Sequence, residues 1–167
     1  MCRLTVYKGK KCRIGDIIVK PDNSLVYQSR DAGFHPGVAD AIGKRNIRVN
    51  GDGFGIAWYR YDDDDGNIKN EENSASTNNV IADFTIASHC FKFITPAWSN
   101  SNLRAIGDAC KSHLIFGHIR AASAGIHGTH IEYENRDIVN EENCHPFKYK
   151  NYLFAHNGGI PCFHLIK

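Results

Sequence analysis

Two short apolar runs decide most of what this chain can become: LIFGHI at 114–119 and YLFAH at 152–156. Each is dominated by aliphatic and aromatic residues and bounded by turn-forming neighbours. Nearly continuous apolar runs of this length read as strands buried on both faces, which require a layered domain around a central sheet. Segments 3–7, 54–60 and 90–95 carry β-branched or aromatic residues between Gly, Pro, Asn or Asp, and supply three more strands. Residues 101–112 predict a helix, because Leu103, Ile106 and Cys110 recur at helical spacing behind a cap at Ser99, Asn100 or Ser101. A second short helix is expected at 39–44. The fold class is α+β.

A chain of 167 residues fits one domain, spanning 1–167. Its 42% hydrophobic and 23% charged residues are ordinary for a globular core. The net charge of +2 is spread along the sequence, so no basic face is expected and nucleic acid is not an implied partner. No apolar run reaches the roughly 18 residues of a membrane-spanning helix. Two polar insertions interrupt the core, one near 62–79 and one near 127–143, and both are expected as solvated excursions. The six cysteines lack C-x-x-C spacing and no secretory signal precedes them, so a reducing cytoplasmic setting with free thiols is expected.

Chemistry can sit in three places. Cys2 becomes the first residue if Met1 is removed, which puts a thiol and a free α-amine on one residue. Reference values near 8.5 for the thiol and about 7.7–8.0 for the amine let the amine take the thiol proton near neutral pH. The run at 114–119 ends in Arg120, and a guanidinium at a sheet end can clamp a carboxylate in a bidentate fork. The run at 152–156 ends in Asn157-Gly158, whose amide and backbone N–H can form an oxyanion-holding pair. Taken singly, each has a plainer reading: a small strand residue, an edge salt bridge, a hairpin turn.

Other patterns fail on spacing. Gly51-Asp52-Gly53-Phe54-Gly55 precedes a strand where a dinucleotide fingerprint should open a helix. The acidic run from Tyr61 misses the first ligand of a calcium loop. His89-Cys90, His127, His130 and Cys144-His145 match no zinc pattern, so no metal and no cofactor are expected. His118 and His156 read as satisfied core histidines, and His145 as a residue shaping the turn into Pro146.

Five blocks considered together change the weighing: MCRLTVYKGK at 1–10, NGDGFGIAWY at 50–59, FKFITPAWSNSNL at 91–103, FGHIRAAS at 116–123 and NCHPFKYKNYLFAHNGGI at 143–160. In that order and spacing the chain resembles the class II (type 2) glutamine amidotransferases, whose catalytic domain is an N-terminal-nucleophile hydrolase. The likeness is in particular to the amidotransferase-like subunit of the fungal glutathione-degradation complex and its bacterial relatives. The resemblance implies an αββα sandwich, here incomplete at its C-terminus. It implies that Cys2 attacks a γ-glutamyl amide through a γ-glutamyl thioester, that Arg120 holds the α-carboxylate, and that Asn157 and the Gly158 N–H stabilise the oxyanion. Asp52 and Gly53 are expected to organise the neighbouring loop. The implied substrate is a small γ-glutamyl compound, glutamine or glutathione, and the implied partner is a peptidase-like subunit. Family members carry an acidic residue for the substrate ammonium some two dozen positions beyond the HNG block. The sequence ends before that point, so the alternative expectation is a catalytically inert fragment or binding subunit.

Overall fold

The computed structural model describes residues 2–33, 49–61, 86–121 and 139–158. They form β1 (Arg3–Arg13), α1 (Ile14–Ile18), α2 (Leu25–Arg30), β2 (Phe54–Tyr61), β3 (Ile86–Phe93), a 3₁₀ turn (Ala97–Ser99), α3 (Ser101–Ala109), β4 (Lys111–Ile119), β5 (Phe147–Tyr149) and β6 (Tyr152–Phe154). Four strands make an antiparallel sheet in the order β1-β4-β2-β3, and β5-β6 form a separate hairpin. The mixture of helices and antiparallel strands is compatible with the expected α+β class. The expected helix at 39–44 and the insertion at 62–79 lie outside the described residues, as does most of the insertion at 127–143.

The register aligns one row across all four strands: Arg3 faces Ile119, Ile119 faces Phe54, and Phe54 faces Phe93. Both faces of the sheet are in use. On one face, Phe54, Ile56, Ile115 and Ile119 pack against Ile14, Ile18, Leu25, Val26 and Leu103 from the three helices. Burying each such side chain contributes on the order of 1.5–3 kcal/mol. On the other face lies the hairpin. The Tyr59 hydroxyl donates to the Asn151 carbonyl at 2.9 Å and the Ser88 hydroxyl to the Lys150 carbonyl at 3.1 Å.

Gly55 makes that seat possible. A Cβ there would sit 2.0 Å from the carbonyl oxygen of His145, so no other residue lets the 144–146 turn rest on β2.

Several element boundaries differ from the sequence expectation. β1 runs on to Arg13, past a bulge between Lys8 and Cys12, instead of stopping at residue 7. The helix ends at Ala109, because Cys110 is already extended and the burial of 111–113 alternates as a strand, with Ser112 donating to the Tyr59 carbonyl at 2.7 Å. Asn100 is the cap, its side chain accepting from the Leu103 N–H at 2.9 Å. β3 is shifted toward the N-terminus and leaves Ile94 and Thr95 in the turn before Pro96. α1 and α2 were not expected at all.

The largest correction concerns 152–156. The ladder stops at Phe154, and Tyr152 and Phe154 are 74% and 61% exposed, so this is a surface hairpin strand and not one buried on both faces. Apolar content alone misleads here, because aromatic residues favour strands wherever those strands lie, on a half-exposed surface as well as in a core. By contrast the run at 114–119 is buried from Gly117 to Ile119 and lies between β1 and β2.

Candidate active site

The row Arg3–Ile119–Phe54–Phe93 ends the sheet, and the residues just beyond it are Cys2, Arg120, Gly53 and Ile94. Strand pairing therefore delivers Cys2 and Arg120 to one end with no further adjustment. The Cys2 sulfur accepts from the Ala121 N–H at 3.4 Å and faces the Ala121 carbonyl at 3.7 Å. From the far end of the chain, the Asn157 carboxamide donates to the Cys2 carbonyl at 3.2 Å. Gly158 follows with φ at +145°, in the region that a side chain opposes.

Asp52 and Gly53 brace the same corner. The Asp52 N–H donates to the Arg120 carbonyl at 3.1 Å, and the Arg120 N–H donates to the Gly53 carbonyl at 2.8 Å. Gly53 has φ at +115°, and a Cβ there would lie 2.8 Å from both the Cys144 sulfur and the Phe93 carbonyl oxygen. The loop around Asp52 thus stops the chain just past the strand end and fixes the backbone on either side of Arg120.

The Arg120 guanidinium lies against the Cys144 thiol. Burial pushes that thiol's pKa up, and the adjacent Arg120 charge and hydrogen bond oppose the rise. Cys144 is fully buried, with its sulfur directed at the Asn140 carbonyl at 3.5 Å and the Phe93 carbonyl at 3.8 Å. Cys2, Cys12, Cys90, Cys110 and Cys144 are all free thiols.

Behind Arg120 and Asn157 stand three histidines. The His145 ring meets His118 edge to face at a 4.6 Å centroid separation, and meets His156 in the same manner at 4.6 Å. Phe147 closes a third side at 4.4 Å. His118 is 1% exposed and His145 9%, and none of their four ring nitrogens has a hydrogen-bond partner among the described residues. The expectation of satisfied core histidines is thus corrected for His118: it is buried, but its nitrogens are not satisfied. Burial first, and then neighbouring positive groups, hold both rings neutral, with His118 lowered to about 3 and His145 to about 4. Sequence reasoning set each of these histidines aside singly. Their positions, two before Arg120, one before Asn157 and one after Cys144, put each beside a candidate site residue, but no local pattern shows that the three rings meet.

Two open clefts flank this region differently. One of about 640 Å³ lies between α2 and the 3₁₀ turn, lined by Tyr27, Arg30, Trp98 and Arg104 among others, and none of the residues singled out above lines it. One of about 520 Å³ runs along β3, lined by Cys90, Lys92, Glu141 and Lys148 among others. Among the described residues, no group of three or more His, Cys, Asp or Glu is arranged to hold a metal ion. No described helix is long and apolar enough to cross a membrane.

No protein-family model matches the sequence. The chain is 34% identical, over its whole length, to a Saccharomyces cerevisiae protein described as probable glutamine amidotransferase DUG3. It spans 37% of that protein. The likeness carried by the five sequence blocks to glutamine amidotransferases therefore runs from one end of the chain to the other.

Proposed function

We propose that this chain carries the glutamine-cleaving half of a class II amidotransferase, acting on γ-glutamyl amides with Cys2 as nucleophile. The observation that carries the reading is the meeting of Cys2, Asn157 and the Arg120–Ala121 segment at one sheet end, in a chain similar to a probable glutamine amidotransferase. An αββα sandwich is the corresponding fold, with the helices covering one face of the four-stranded sheet. The resemblance also implies a peptidase-like partner subunit and glutathione as a second substrate, and the cysteine usage suits a cytoplasmic setting.

After removal of Met1, the α-amine of Cys2 takes the thiol proton. The thiolate attacks the γ-carbonyl carbon, and the carbonyl π pair moves to oxygen. Asn157 and the Gly158 N–H stabilise this oxyanion; one such donor is worth roughly 10²–10³ in rate. Collapse breaks the C–N bond, and the protonated amine returns its proton to the departing nitrogen. Water then cleaves the thioester, releasing glutamate and restoring the thiol. Arg120 binds the glutamyl α-carboxylate, which orients the γ-carbonyl over the sulfur.

Intact mass before and after exposure to a γ-glutamyl diazo-ketone tests the reading. The expected result is a chain lacking Met1 that gains one adduct at Cys2. A chain that keeps Met1, or one that refuses the label, overturns it.

A further inference from the structure

We propose that His145 is a positioning residue, wedged between His118 and His156 so that the Asn157 carboxamide stays in register with Cys2 and with the Arg120 strand end. The inference rests on the function proposed above and goes beyond it, since the resemblance assigns this histidine no role.

The geometry is a chain of contacts. His118 is fixed in the sheet, where its neighbours across the ladder are Leu4 and Gly55. His145 is fixed by its own backbone, which rests on β2 where Gly55 leaves room. His156, by contrast, lies beyond the last ladder pair, Phe147 with Phe154, and so has no strand pairing to hold it. Its ring meets His145 at 4.6 Å and Phe154 at 5.8 Å. The next residue is Asn157, whose side chain is exposed and reaches the Cys2 carbonyl at 3.2 Å. A donor on an unladdered segment needs a rigid neighbour, because a misplacement near 1 Å can cost about 100-fold in rate. The ring stack supplies that neighbour without a hydrogen bond.

Neutrality is part of the device. Groups from every packed element that face His145 are basic or neutral: His118 on β4, Arg120 just after it, Lys92 on β3 and His156 after β6. A proton on His145 would therefore repel the parts it holds together. Edge-to-face packing of uncharged rings remains as the cohesive contact, of the order seen for aromatic pairs.

The test compares two ligands on the intact protein: glutamate, which needs the carboxylate clamp, and glutamate γ-semialdehyde, which adds to the Cys2 thiol and places an oxyanion-like oxygen before Asn157. In His145→Ala the aldehyde is expected to bind about tenfold more weakly, with glutamate affinity changed by less than about twofold. His145→Phe keeps a neutral ring in the wedge and is expected to restore the aldehyde to near wild-type affinity. If the alanine variant does not fold, His145→Gln carries the same comparison. Equal loss of both ligands marks a merely structural residue and overturns the proposal, as does an unchanged aldehyde affinity or a failure of phenylalanine to rescue. A wild-type protein that binds neither ligand overturns the amidotransferase reading itself, and this proposal with it.

Discussion

The Asn157 carboxamide donates a hydrogen bond to the Cys2 carbonyl at 3.2 Å, across 155 positions of sequence. This contact joins the start of β1 to the segment after β6, at the sheet end where Arg120 leaves β4. Loop closure over such a separation is entropically costly. The hairpin seated on the sheet, through Tyr59 with Asn151 and Ser88 with Lys150, shares that cost with the Asn157 bond.

If Cys2 is the nucleophile, Cys2→Ala removes turnover of glutamine by at least about 10⁴-fold, as loss of a nucleophile does elsewhere. Cys12→Ala and Cys110→Ala keep near wild-type rates, since both lie away from the Cys2 end, on the bulged part of β1 and past α3. Glutamate release, measured for the three variants under one set of conditions, decides between Cys2 and any other thiol. Full activity in the Cys2 variant defeats the assignment.

Arg120→Lys is expected to raise KM by about tenfold and leave kcat within a fewfold. A lysine keeps the charge but cannot form the planar fork, at a cost of roughly 1.5 kcal/mol for one charge-assisted bond. The backbone bonds to Asp52 and Gly53 are unaffected by the change, so the loop stays in place. Steady-state kinetics over a wide glutamine range provide the check. An unchanged KM would make Arg120 a structural partner of the Cys144 segment only.

Gly53→Ala strains the corner that braces Arg120. The backbone is at φ +115°, and the new methyl would meet the Phe93 carbonyl and the Cys144 sulfur at 2.8 Å. Strained backbone of this kind costs about 1–3 kcal/mol, and two hard contacts add to it. Urea unfolding should show a lower midpoint with an unchanged slope. An unshifted midpoint means that the loop can relax away from the sheet.

Much of this arrangement was legible in the sequence, for physical reasons. β2 and β4 declare themselves because their central residues are apolar and flanked by breakers, and α3 because Asn100, Leu103 and Ile106 give both a cap and a face. α1 and α2 could not be seen: at five and six residues they are shorter than any window in which a 3.6-residue period can accumulate, and α1 contains Gly15. Arg120 and Asn157 were visible as polar residues at the ends of apolar runs, and Cys2 as the residue that removal of Met1 would expose. The histidine wedge was not, because the contact between His118 and His145 depends on the hairpin folding back over Gly55, which no local pattern encodes.

Stability should fall between pH 6.5 and 4 because of that wedge. His145 is lowered to about 4 and His118 to about 3, from an ordinary value of 6.5, chiefly by burial and then by the surrounding positive groups. In this window the unfolded chain binds more protons than the folded one, so stability rises with pH. The contribution is complete above about pH 6.5 and is lost as the pH falls through the folded values. The Asp16 carboxyl, held low by Lys20 at 2.8 Å, titrates below this window and does not confuse it. Urea midpoints at pH 7 and pH 4.5 are expected to differ clearly in the wild-type protein and by less in His145→Phe, where one of the two buried imidazoles is gone. Equal pH dependence in the two proteins would show that the lost stability comes from groups other than His145.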